Sequence, residues 1–140
     1  MPTRTYDPKA VLVNFLGNPM IGYAEGSFVK IERNDDAYAL LVGADGEAAR
    51  SRSRNKSGII TITLMQSSPS NLILSAAVLA DELSGTGIGA LFIKDNSGTT
   101  LAVAANAWVK KHASVNFSKE LGDKEWVLEC DSLEIVNGGN

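Results

Sequence analysis

Few residues in this chain have the types and spacing to do chemistry. The most ordered set is Arg50, Arg52, Arg54 and Lys56, four cations at every second position. In an extended strand alternate side chains share a face, so all four would point one way. Such a row can pair with carboxylates or phosphates through charge-assisted hydrogen bonds. It reads as a protein–protein contact, as an edge strand guarded by its own charge, or as a nucleic-acid groove. The last is disfavoured, because no aromatic residue stands between the arginines and the chain is acidic overall. Its 13 Lys and Arg face 16 Asp and Glu, a formal net charge of −3. A second set, Glu125, Glu129 and Asp131, shares the odd positions of a late strand, with Glu120 and Asp123 just before it. These carboxylates could complement a basic row on a neighbouring copy, line a negative channel, or form an ordinary solvent face.

Nothing else amounts to a reactive constellation. His112 and Cys130 are the sole residues of their kinds, too few for the usual zinc sites and for an internal disulfide. The G-x-S-x-G nucleophile turn is absent. A triad can be assembled from distant residues, but a surface histidine in a loop is the simpler reading of His112. Cys130 falls in the apolar phase of its strand and reads as a small buried hydrophobe. Trp108 and Trp126 read as core or subunit-interface anchors. Gly85-Thr86-Gly87-Ile88-Gly89 resembles a phosphate loop, but it follows a helix and lacks the Lys-Ser/Thr pair. It reads as a helix stop. The expectation is no enzyme, with no catalytic, cofactor-binding or metal-ligating residue and no cofactor.

The elements that must carry these residues are mostly strands. With 140 residues, 44% hydrophobic and 21% charged, the chain fits one domain, 1–140, with its own core. The apolar runs are shorter than the roughly 18 residues of a membrane span, and residues 1–8 lack a signal-peptide core. A soluble chain made in a cytoplasm, with no membrane anchor, is expected. Val11, Val13 and Phe15 alternate, and Gly17-Asn18-Pro19 ends that run. Residues 27–33 form a second strand. Ile60, Ile62 and Leu64 alternate in a β-branched run. Residues 90–94 and 101–109 flank Asp95-Asn96-Ser97-Gly98 as a hairpin. In the last segment, 125–136, the apolar phase shifts from Trp126, Leu128 and Cys130 to Leu133 and Ile135. A bulge or sharp bend between Cys130 and Leu133 is expected, the plainer alternative being that the strand ends at Asp131.

One helix stands out. Ser68-Pro69-Ser70-Asn71 offers a start signal. Leu72, Ala76, Leu79 and Leu83 follow at helical spacing, with Ile73, Ala77 and Ala80 widening the stripe. That stripe is expected to cover one side of a sheet. Residues 34–57 are the exception to the strand pattern, with four acidic and four basic residues around Tyr38, Leu40 and Leu41. A connection of this length is usually functional or disordered, and its apolar residues suggest that it docks on something.

Across nearly the whole chain these features resemble the tail tube proteins of contractile-tailed (myovirus-type) bacteriophages. The cues are Tyr6-Asp7-Pro8-Lys9, Glu32-Arg33-Asn34-Asp35-Asp36, and Val42-Gly43-Ala44-Asp45-Gly46-Glu47. Thr61-Ile62-Thr63-Leu64 followed by Ser68-Pro69-Ser70-Asn71, and the late Glu125-Trp126, complete the set. The resemblance implies a mainly β fold, a β-sandwich or distorted antiparallel barrel, with one flanking α-helix and a long extended loop. It implies homo-hexameric rings stacked into a tube within a sheath. Partners would be the tail sheath, baseplate and tail terminator proteins, with DNA passing through the lumen without specific binding. The subunit would be assembled in the host cytoplasm and reside in the virion. Inter-subunit contact would fall on the 34–57 loop, through Tyr38, Leu40, Leu41, Arg50, Arg52, Arg54 and Lys56, and on the N-terminal arm, 1–9. Glu125, Glu129 and Asp131 would line the lumen. The alternatives are the tube of a contractile bacteriocin or type VI-like secretion system, or a small β-barrel nucleic-acid-binding module. An enzyme with a dispersed site ranks below both.

Overall fold

The computed structural model describes residues 3, 5–26 and 28–139. Ten strands and a helix make up the described chain: β1 (Val11–Phe15), β2 (Asn18–Pro19), β3 (Val29–Arg33), β4 (Tyr38–Val42), β5 (Ala48–Arg52), β6 (Gly58–Met65), α1 (Ser70–Ser84), β7 (Gly89–Asp95), β8 (Leu101–Lys111), β9 (Asp123–Cys130) and β10 (Leu133–Val136). Eight strands form one antiparallel sheet, in the order β2-β1-β7-β8-β9-β6-β3, with β10 also on β8. Strands β4 and β5 form a separate two-stranded sheet.

The alternation read from the sequence sets the core. In β6 the buried residues are Ile60, Ile62 and Leu64, and in β9 they are Trp126, Leu128 and Cys130. Val13 and Phe15 of β1 and Leu91 and Ile93 of β7 join the same cluster. One buried face per strand and one shared cluster mean that the sheet folds over on itself. It does not close into a barrel, since β1 and β3 are unpaired with each other. The gap is an apolar cleft lined by Val11, Phe28, Val29, Ile31 and Ile93, with Tyr6 at its mouth. Of the N-terminal arm, 1–9, residues 1, 2 and 4 lie outside the described residues.

The phase change between Cys130 and Leu133 is real, and it is a bend. β9 stops at Cys130, Asp131 is a bend, and β10 resumes at Leu133. The register against β8 carries straight through, with Ala107 opposite Cys130 and Ala104 opposite Leu133. β8 changes phase at the same level, since Ala104 and Ala107 are both buried. Two paired strands thus flip their inward faces together, and the sheet turns its corner without a bulge there. The side chains of Asn106 and Asp131 bond across the bend at 3.3 Å. The backbone N–H of Leu133 donates to Lys56 O at 2.8 Å.

The helix is where it was expected, but it faces the other way. Leu74 and Ala77 enter the core. Leu72, Ala76, Leu79 and Leu83 face solvent, and the leucines are 76%, 57% and 85% exposed. At 100° per residue the two rows lie on opposite sides of the helix. Both sides are apolar, so periodicity detects a stripe without saying which stripe is the inner one. The flanks of the sequence set the choice. The Oγ atoms of Ser68 and Ser70 accept from the backbone N–H groups of Ser70, at 3.2 Å, and Ile21, at 2.9 Å. Trp126 Nε1 donates to Asn71 Oδ1 at 2.9 Å. These bonds fix the rotation of the first turn and carry Leu74 inward. Gly85, at φ 68°, ends the helix in the left-handed conformation that glycine adopts without a Cβ clash.

Candidate functional site

The long 34–57 segment is a β-hairpin, not an irregular loop. Tyr38 pairs with Arg52, Leu40 with Arg50 and Val42 with Ala48. The turn closes with Gly43 N–H donating to Glu47 O at 2.7 Å, and Gly46 sits at φ 86°. The hairpin meets the rest of the domain at its base. There Asn34 N–H donates to Ser57 O at 3.0 Å and Asn55 Nδ2 to Asp35 at 2.9 Å. Every residue of β4 and β5 is exposed. A two-stranded hairpin is marginal in water by itself, so this element has a packing face without a partner in its own subunit.

Directly paired residues of an antiparallel ladder share a face. One hairpin face therefore carries Tyr38, Leu40 and Val42 beside Arg52, Arg50 and Ala48. The Arg50 guanidinium stacks over the Tyr38 ring at 4.1 Å. This contact holds the arginine against the apolar row and leaves its donors free to face outward. Leu41 lies on the opposite face, with Ala39 and Ala49.

The basic row expected from spacing does not extend past Arg52, where β5 ends. The Asn55 side chain takes the Ser57 backbone N–H at 3.0 Å and turns the chain. Arg54 lies exposed in that turn. Lys56 is drawn back to its own domain, where its Nζ meets Glu134 Oε1 at 3.1 Å. Arg33 also reaches the Glu134 carboxylate, at 3.8 Å, and its Nε donates to Leu133 O at 2.9 Å. Glu134 therefore anchors the hairpin base. It is 78 positions from Lys56 in the chain, and nothing local in the sequence pointed to it.

Of the acidic set, Glu125 and Glu129 share the outer face of β9, opposite Trp126 and Leu128. Glu129 pairs with Lys110 at 3.4 Å. Lys30 and Glu32 pair at 3.5 Å on β3, at the edge of the same half-sheet. The outer face is therefore mixed in charge. Asp131 sits at the bend, beyond the strand that carries the other two. Glu120 is in the preceding loop and Asp123 opens β9. Trp108 is half-buried on β8, and Trp126 is buried in the core.

His112, just past β8, packs on Trp126 with ring centroids 4.8 Å apart and lies 3.4 Å from Ser75 Oγ. Its other nitrogen lies 3.0 Å from Ala113 O. These contacts join the β8 end to α1. Cys130 is fully buried, and burial pushes its thiol pKa up. It has the character of a packed hydrophobe rather than of a nucleophile. Among the described residues no helix is long and apolar enough to cross a membrane, and no His, Cys, Asp and Glu cluster could hold a metal ion.

A folded-over open sheet with one helix and a projecting hairpin is the geometry to be matched. The model of the bacteriophage PhiTE tail tube protein family matches residues 18–138. The chain belongs to that family. Structural protein ORF10 of Pseudomonas phage KPP10 is 30% identical over 146 residues, covering 99% of this chain and 84% of that protein. Among solved structures, the tube-terminating cap of the anti-feeding prophage aligns with a TM-score of 0.67 at 12% identity. That alignment covers 97% of this chain and 93% of the other. A sheath/tube terminator of the extracellular contractile injection system PVC gives 0.67 at 14% identity, over 98% and 100%. A chain of the sheath–tube complex of that system gives 0.64 at 15% identity, over 94% and 91%. At these identities the solved structures show a shared fold. The tail tube resemblance read from the sequence is thereby confirmed at the level of the family.

Proposed function

We propose that this chain is the structural subunit of a phage tail tube, assembling into stacked hexameric rings whose lumen conducts DNA. Besides the family, the observation that carries the reading is the β4–β5 hairpin, an exposed apolar and basic surface with nothing to cover it in its own subunit. Its contact residues are Tyr38, Leu40, Leu41, Arg50, Arg52 and Arg54, while Lys56 holds its base. A contact between unlike surfaces of identical subunits closes into a ring where its rotation closes and propagates where it does not, and the second kind stacks rings into a filament. The work is mechanical and needs no catalytic residue. The subunit resides in the virion, with sheath, baseplate and terminator proteins as neighbours. Glu125, Glu129 and Asp131 face the lumen in this reading, where carboxylates keep phosphates from sticking. The Glu129–Lys110 pair weakens that field.

The test follows from the hairpin base, where Ser53 N–H donates to Ala37 O at 2.8 Å. Residues this close can be joined by a two-residue turn, so replacing 38–52 by Gly-Gly leaves the domain folded. Electron microscopy of the intact purified chain should show hollow six-fold tubes, and the shortened chain should remain monomeric. Tubes formed equally well by the shortened chain would remove the hairpin from the interface.

A further inference from the structure

The outer face of α1 has no structural role in the isolated subunit. Leu72, Leu79 and Leu83 are mostly exposed. Apolar residues on both sides of a helix are the mark of a buried helix. Among the described residues apolar side chains are exposed elsewhere too, at Val115, Phe117 and Leu121 in the loop before β9. The hairpin, however, is an uncovered apolar surface that also carries arginines, and it differs in shape from the helix face. The two match in length. From Leu72 to Leu83 the helix rises about 16 Å, and β4 spans about 13 Å from Tyr38 to Val42. They also match in charge. The last turn of α1 has no basic residue. Glu82, exposed beside Leu79 and Leu83, adds its carboxylate to the negative end of the helix dipole. The hairpin face supplies Arg50 and Arg52 beside its apolar row.

We infer that the Tyr38, Leu40 and Val42 face of the hairpin docks onto the outer face of α1 of a second copy, with Arg50 and Arg52 at the Glu82 end. This rests on the tube reading and specifies its contact. The hairpin of a subunit does not reach its own helix, because its base is fixed beside β3 and β6. The contact is heterologous, so one operation repeated on every copy extends the assembly. It also accounts for a stripe of leucines that the fold itself does not use.

The test is a disulfide trap in the full-length chain. Leu40→Cys and Leu79→Cys both replace exposed side chains, and native Cys130 is buried out of reach. After assembly and mild oxidation, the double variant should give a ladder of covalent oligomers well beyond the dimer. Each single variant should stay uncrosslinked. Tubes seen by electron microscopy without a ladder would overturn the docking and leave the tube reading intact. Dimers from Leu79→Cys alone would mean that the helix face pairs with itself, which also overturns it. A chain that forms neither rings nor tubes would remove both readings.

A charge exchange gives an independent readout. Arg50→Glu or Glu82→Arg alone should cut the sedimenting fraction at least tenfold, and the two together should restore it. A double variant as poor as the singles would contradict the pairing.

Discussion

Two leucines on α1, equally apolar in the sequence, should respond very unequally to the same change. Leu74 is fully buried, whereas Leu83 is 85% exposed. Leu74→Ala removes three buried carbons, about 2.4 kcal/mol of transfer free energy at ~0.8 kcal/mol each. Leu74 packs into the single core cluster with strand side chains around it, so collapse around the lost volume is incomplete. A residual cavity brings the total to roughly 3–4 kcal/mol. For a chain this size that lowers the melting temperature by roughly 10 °C. Leu83→Ala removes the same atoms from water-exposed surface, and stability should change by no more than about 0.5 kcal/mol. Urea unfolding of the unassembled protein, followed by circular dichroism, measures both. Equal losses, or a larger loss at Leu83, would refute the helix orientation and return the outer stripe to the core.

Other consequences follow from the packing. Asn71→Ala should cost about 1–3 kcal/mol in the same assay, because it leaves the buried Trp126 indole N–H without its acceptor. Gly58→Ala would place a methyl 2.5 Å from Leu133 Cδ2 and 3.0 Å from Glu32 O, so a loss of roughly 1–3 kcal/mol is expected. Cys130 should resist thiol reagents until the protein unfolds. Its folded pKa is raised, so the thiol holds its proton in the fold while the unfolded thiol ionises above about 8.5. Its contribution to stability is thus complete below that pH and falls as pH rises toward the folded pKa. Urea midpoints at neutral pH and at pH 9.5 should show the fall, and Cys130→Ala should lessen it.

Where one face of a strand is buried and the other is wet, the sequence shows it directly. Ile60, Ile62 and Leu64, or Trp126, Leu128 and Cys130, can be assigned to the core by alternation alone. The change of phase at Leu133 marks a real corner, although the matching change in β8, between Ala104 and Ala107, is hidden in a run of alanines. Legibility fails where an apolar surface stays exposed on the subunit. The outer leucines of α1 look like core residues because periodicity records an apolar stripe and not what covers it. The 34–57 segment was legible as an oddity, but not its strand pairing. The straight row from Arg50 to Lys56 breaks because the Asn55 side chain competes for backbone and Glu134 captures Lys56. The first is a local Asx turn, which counting cations at every second position overlooks, and the second is a tertiary event that residue spacing cannot express.

The central claim is that this chain builds a tube by placing its hairpin on a neighbouring copy. Cryo-electron microscopy of tubes formed by the full-length protein tests it most directly. The account predicts six-fold rings stacked around an open lumen, with each hairpin ordered against another subunit. Closed dimers, or a hairpin folded back on its own domain, would contradict it.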